Sequence, residues 1–162
     1  MNDDKYYIKE INYLNSDDYR RMNSVCRFWF SEPKTLNLTS PSIPYPFQFK
    51  KWVDFYQKNN ESIFSYAVQR DDWIIGHGSI QIKKKIGHIF HVIIDSGYRR
   101  KGLASKLIKE LKEKVHQKGV KEITLNVDRK TLAAFHLYEK LGFLKDMDVS
   151  KNTLRMKTKL YA

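Results

Sequence analysis

The chain has 162 residues, 41% of them hydrophobic and 14% aromatic, enough for one globular domain built around one core. A formal net charge of +12 asks for an anionic partner (a phosphorylated cofactor, nucleic acid, an anionic membrane surface or an acidic substrate) or else for a surface of plainly solvated lysines. A single cysteine, Cys26, excludes an internal disulfide framework; no Cys/His cluster has zinc spacing, no apolar run approaches a membrane span, and the acidic, polar start MNDDK is unlike a signal peptide. The expectation is one domain over residues 1–162, cytoplasmic, without metal, and not placed in a membrane.

Lys5–Ile11 alternates well enough for a first strand. A helix follows from a cap at Asn15 or Ser16, with acids in its first turn and Met22, Val25, Cys26 and Trp29 on its buried face. The next stretch, SEPKTLNLTSPSIPYPFQF, holds all four prolines and reads as a loop. Its aromatics Tyr45, Phe47 and Phe49 either line a pocket or anchor the loop on the core. FKKWVDFYQKN gives a second short helix. Three strands come next: SIFSYAVQ; WIIGHGSIQI after an Asp-Asp turn; and GHIFHVIID after the Lys83–Lys85 turn, apolar on both faces as suits a central strand. Leu103, Leu107, Ile108, Leu111 and Val115 form the stripe of an amphipathic helix that Gly119 ends. KEITLNV is a strand, TLAAFHLYEKLG a helix stopped by Gly142, and FLKDMDV and TLRMKTKL a final strand pair. The order is β, two helices, three strands, αβα and two strands.

One stretch fits this order poorly unless a ligand is present. Arg99, Arg100 and Lys101 sit at the start of the helix that opens at Gly102, where free amides already carry partial positive charge. An anion resolves the conflict, and Gly102, Ala104 and Ser105 are small enough to let it approach the backbone. Neither the P-loop pattern nor a complete GxGxxG is present, and no helix-turn-helix, zinc-finger or RNP pattern supports nucleic acid.

The stretch RRKGLA fits the pattern [Q/R]-x-x-G-x-[G/A], and AAFHLYEKLGF (Ala133–Phe143) resembles the late A-x-x-LYEKLGF motif of the same family. Together with the element order over nearly the whole chain, these are similar to the GNAT superfamily of acyl-CoA N-acyltransferases. The resemblance implies a mixed α/β, three-layer fold. Its central sheet has about seven mostly antiparallel strands with a splayed central pair, flanked by about four helices. It implies direct transfer of acetyl from acetyl-CoA to an amine, small molecule or protein. Backbone groups of Val92 and Ile94 would hold the pantetheine arm. Amides from Arg100 through Ser105, thus of Lys101, Gly102, Leu103 and Ala104, would hold the pyrophosphate with the Arg99 side chain.

On the same resemblance Tyr138 is the acid that protonates the departing thiolate. His88 occupies a slot where the family often has a glutamate base, and an imidazole titrates near neutrality. His91, three residues on, is expected on the opposite face. A second base slot holds Asn126, which cannot act as a base. Thr131 stands where the family usually has an asparagine that touches CoA. Acceptor choice would lie near Trp29–Phe55, and dimers are common in the family. The rival reading is a module that binds CoA or nucleic acid through the same loop without catalysis.

Overall fold

The computed structural model describes residues 5–160; the amino-terminal MNDD on which the signal-peptide reading rests lies outside them. The elements are strand β1 (Tyr6–Ile11), helices α1 (Ser16–Trp29), α2 (Pro33–Thr39) and α3 (Phe49–Lys58), strands β2 (Ile63–Arg70), β3 (Trp73–Lys83) and β4 (Ile86–Ile94), helix α4 (Leu103–His116), strand β5 (Glu122–Asp128), helix α5 (Leu132–Lys140), and strands β6 (Leu144–Asp148) and β7 (Thr153–Lys159). The order agrees with the expectation except for α2. The proline-rich stretch was expected to be a loop, yet Pro33 stands at the first helical position, where its missing N–H costs nothing, and Leu36 is buried.

The seven strands form one sheet in the order β1-β2-β3-β4-β5-β7-β6. Every pair is antiparallel except β4 and β5. That parallel pair is hydrogen-bonded only from Ile86↔Glu122 to Ile89↔Leu125. Beyond those rungs β4 runs on to Ile94 beside β3 and β5 to Asp128 beside β7 without pairing with each other, so a gap opens in the middle of the sheet. The expected splay is therefore a matter of register: the strands part after the fourth rung.

Helices cover both faces. Leu103, Leu107, Ile108, Leu111 and Val115 of α4 pack with Tyr138 and Phe143, around α5, on Ile80, Ile89, Ile123, Leu125, Leu154 and Met156. On the other face Met22, Cys26, Trp29, Trp52 and Tyr56 of α1 and α3 and Leu36 of α2 pack on Ile11, Ile63, Ala67, Ile74 and Ile93. Burial of these side chains is the main stabilising term, about 1.5–3 kcal/mol for each large apolar residue. No helix among the described residues is long and apolar enough to cross a membrane.

Candidate functional site

The loop after β4 is held from both ends. Asp95 accepts from the Gly97 amide at 3.0 Å and from Trp29 Nε1 at 3.2 Å, which ties the strand end to α1. Arg99 Nε donates to the Ile94 carbonyl at 3.1 Å, so that carbonyl is already engaged. Arg100 and Gly102 then take positive φ, +63° and +74°. For the arginine this backbone costs roughly 1–2 kcal/mol, whereas glycine adopts it freely. Helix α4 starts at Leu103 with no acid in its first turn and no capping side chain. The first amides of that helix thus have no intrahelical acceptor. A Cβ on Gly102 would meet nothing within 4 Å, so the space above the helix start is open.

That space is a cavity of about 230 Å³, lined by Ile94, Tyr98, Arg99, Arg100 and Gly102–Ser105 on one side and by Ala133 and Leu137 of α5 on the other. The two motif-bearing stretches, thirty residues apart in sequence, therefore face one another. Lys101 is exposed and does not line the cavity. Val92 packs partly buried against the α4 face. Thr131 is the residue before α5, and its hydroxyl makes no capping hydrogen bond. Unbonded amides, two guanidinium groups and an open glycine are a donor set that fits an anion such as a pyrophosphate.

Tyr138 is 9% exposed and packs edge-on against Phe143, with ring centroids 6.0 Å apart. Burial pushes its phenol up to about 12, so it holds its proton at neutral pH. No hydrogen bond to its hydroxyl is made by any described residue, although it is not among the sealed polar atoms. His88 stands on the last rungs before the strands part, opposite Thr124. Its Nδ1 lies 2.7 Å from Thr124 Oγ1. Burial, then the nearby Arg155 and Lys83 charges, hold its pKa below the ordinary histidine value. Neighbouring Asn126 is exposed, and its Oδ1 accepts from Arg155 Nε at 3.4 Å.

His91 is not on the opposite face, as its spacing from His88 suggests. The β3–β4 register slips between His77 and Ser79, with Ser79 opposite Phe90 but His77 opposite Ile93. His91, at φ +52°, is part of this bulge. The extra residue breaks the alternation, so Phe90 and His91 both face α3. The His91 ring stacks on Trp52 at 3.9 Å, with Nδ1 2.8 Å from Tyr56 Oη and Nε2 2.9 Å from Ser40 Oγ. Below it, His77 Nδ1 lies 2.8 Å from the His91 carbonyl. A carbonyl only accepts, so that nitrogen carries the proton. Nε2 then accepts from Tyr13 Oη at 2.9 Å, whose oxygen accepts from Trp52 Nε1. Burial lowers both imidazoles, His77 to about 4, so both are neutral. Every ring nitrogen of His77 and His91 is occupied, so the two imidazoles form the clamp that holds the bulge where β4 leaves β5. The sequence carried no sign of this network, whose members, with Ser65 and Ser79, come from four separate elements and two loops.

A second, open cavity of about 520 Å³ lies between α1 and the start of α3, lined by Tyr19, Asn23, Arg27 and Phe47–Lys50. Phe47 and Phe49 both anchor the loop and line this cavity: Phe47 packs 4.9 Å from Phe30, and Phe49 is buried. Tyr45 is 55% exposed, and its hydroxyl donates to the Ser31 carbonyl at 3.4 Å.

Comparison with known proteins gives a consistent result. The model of the acetyltransferase (GNAT) family matches residues 27–143. The ribosomal protein bS18-alanine N-acetyltransferase of Salmonella typhimurium is 27% identical over 114 residues, 65% of this chain and 77% of that protein. The glucosamine 6-phosphate N-acetyltransferase of Trypanosoma brucei brucei is 38% identical over 77 residues, 43% of this chain and half the length of that protein. Among solved structures, the PaiA N-acetyltransferase of Thermoplasma acidophilum, in complex with coenzyme A, has the same fold: TM-score 0.72, 18% identity, 96% of this chain and 99% of that one.

Proposed function

The chain belongs to the GNAT acetyltransferase family and is an acetyl-CoA-dependent N-acetyltransferase, and from that premise we propose how its residues divide the work. The domain spans the whole chain. The pyrophosphate of acetyl-CoA sits on the amides from Arg100 through Ser105, including Lys101, Gly102, Leu103 and Ala104, with the cationic side chains of Arg99, Arg100 and Lys101 around it. The pantetheine arm runs along Val92 and Ile94 into the gap between β4 and β5, and Thr131 borders it at the start of α5. A cytoplasmic setting, where acetyl-CoA is at hand and Cys26 stays reduced, belongs to this reading.

The amine must lose its ammonium proton before it can attack. His88, neutral at physiological pH and bonded through one nitrogen to Thr124, takes that proton on Nε2. The C–N bond forms, and the carbonyl oxygen gains charge that a backbone N–H of the open stretch of β4 stabilises. The C–S bond then breaks, and Tyr138 gives its proton to the thiolate. A phenol at about 12 is a weak acid in water, but the burial that raised it also raises the basicity of the sulfur beside it.

The observation that carries this reading is the single cavity shared by the Arg99–Ser105 loop and α5. Calorimetric titration with acetyl-CoA tests it, on the wild type and on Gly102→Trp, whose side chain enters the open space over the helix start. Binding by the wild type and a loss of about 100-fold or more in a variant with an unchanged circular dichroism spectrum are expected. Wild-type protein that does not bind acetyl-CoA would sink the assignment.

A further inference from the structure

The gap between β4 and β5 has one face closed and one open. On the closed face the core of α4, Tyr138 and Phe143 packs against the sheet, and the cavity beside it is the one assigned to acetyl-CoA above. An acceptor amine therefore has to reach the gap from the face of α1–α3. Those helices pack over β1 to β4, and no residue of β5, β7 or β6 belongs to the core beneath them. Past the gap the sheet is a bare shelf: Asn126 is exposed in mid-strand, Met147 is 52% exposed and Leu144 72%.

The charges on this shelf are unequal. Lys157 is neutralised by Asp146 at 3.2 Å. Arg155, in register with Asn126 on one side and Met147 on the other, pairs with no carboxylate among the described residues. Its Nε is held by Asn126 Oδ1, and its Nη1 lies 4.0 Å from Met147 Sδ. Both neighbours position the guanidinium without cancelling its charge. An acid at 126 would cancel it. The Arg155 charge also reaches His88 at the vertex of the gap.

Building on the acetyltransferase reading above, we propose that Arg155 is the acceptor anchor and that the substrate is a small primary amine bearing a carboxylate or phosphate a few bonds from its nitrogen. A guanidinium presents parallel N–H donors that match either anion, and its position across Asn126 would leave the amine over the gap beside His88. The net charge of +12 draws such a molecule in and repels polyamines. The residue stands on β7, outside the early helices and loop that were expected to choose the acceptor.

Matched amines test this: O-phosphoethanolamine against ethanolamine, and β-alanine against β-alaninamide, each followed by thiol release from acetyl-CoA. The readout is the ratio of kcat/KM for the charged member to that for the uncharged one, in the wild type, Arg155→Met and Asn126→Asp. Comparing ratios cancels differences in amine basicity and any general loss of activity. The wild type should favour the charged member of at least one pair, which also separates phosphate from carboxylate. That ratio should fall about tenfold or more in Arg155→Met, through KM, and fall also in Asn126→Asp, whose new carboxylate pairs with Arg155. Equal use of both members, a ratio indifferent to both substitutions, or turnover of neither charged amine while acetyl-CoA binds would overturn the anchor and leave acetyl-CoA binding in place. A wild type that does not bind acetyl-CoA would overturn both.

Discussion

The two faces of the sheet are built from different materials. Under α4 and α5 the core is mainly aliphatic, with leucine, isoleucine and valine closing around Tyr138 and Phe143. Under α1–α3 it is aromatic and polar: Trp52, Tyr13 and Tyr56 pack there with the imidazoles of His77 and His91, and Ser40, Ser65 and Ser79 are buried among them. The aliphatic face supports a loop whose binding groups are backbone amides, so packing alone is enough to present them. The polar face holds a bulge, and a bulge leaves backbone and side-chain groups that must find partners or cost about 1–3 kcal/mol each. The face under α1–α3 is therefore held by hydrogen bonds and should be the more sensitive to protonation.

Acid is the sharpest way to separate the two faces. His77 is neutral in the folded protein at a pKa of about 4, against about 6.5 in an unfolded chain. A histidine whose folded value is depressed stabilises the fold fully above about pH 6.5 and loses that contribution as pH falls through 4. The difference is worth about 3 kcal/mol. The same burial lowers His91, which adds in the same direction. Urea midpoints should be flat above pH 7 and fall steadily between pH 6.5 and 4, with amide exchange rising first in β3 and β4 around the bulge. Imidazole nitrogens of His77 that titrate near the ordinary value in an NMR series would remove the basis for this expectation.

Tyr138→Phe probes the aliphatic face, with the smaller effect. The hydroxyl bonds to no described residue, so its removal should leave the melting temperature within about a degree. If the phenol is the acid, kcat should fall about 100-fold, worth about 2.7 kcal/mol, with acetyl-CoA affinity unchanged. Activity that survives intact would make Tyr138 a packing residue and return the proton to solvent.

The same contrast explains what the sequence made legible. The aliphatic face is periodic: every residue of the α4 stripe read at spacings of three and four is buried, and the RRKGLA loop is contiguous. The loop and α5 meet because one short crossover strand separates their helices. The polar face has no such period. Its clamp draws one or two residues each from the loop after β1 (Tyr13), the loop after α2 (Ser40), α3 (Trp52, Tyr56), β2 (Ser65), β3 (His77, Ser79) and β4 (His91), and only the bulge brings His91 to it. A one-residue slip reverses a face, and nothing in GHIFHVIID announces one. Arg155 was invisible for a similar reason: it reads as one cation in an alternating strand, and its meaning depends on which neighbours lack acids.

The smallest expected effect concerns Thr131, the residue before α5, which stands where the family usually has an asparagine. Helix α5 begins without a capping hydrogen bond from this side chain. Asparagine is a better cap than threonine and reaches one atom further, so Thr131→Asn should raise stability by up to about 1 kcal/mol, a rise in Tm of about 2–4 °C. The two roles an asparagine could play here are separable. A higher Tm with an unchanged acetyl-CoA Kd means that the residue acts on the helix alone. A Kd lowered by a few-fold as well means that the position also touches the co-substrate, and that the present chain holds CoA with one contact fewer. No change in either would show that the threonine position is spectator to both, and would leave CoA recognition to the loop from Arg99 to Ser105 and to the Val92 and Ile94 stretch of β4.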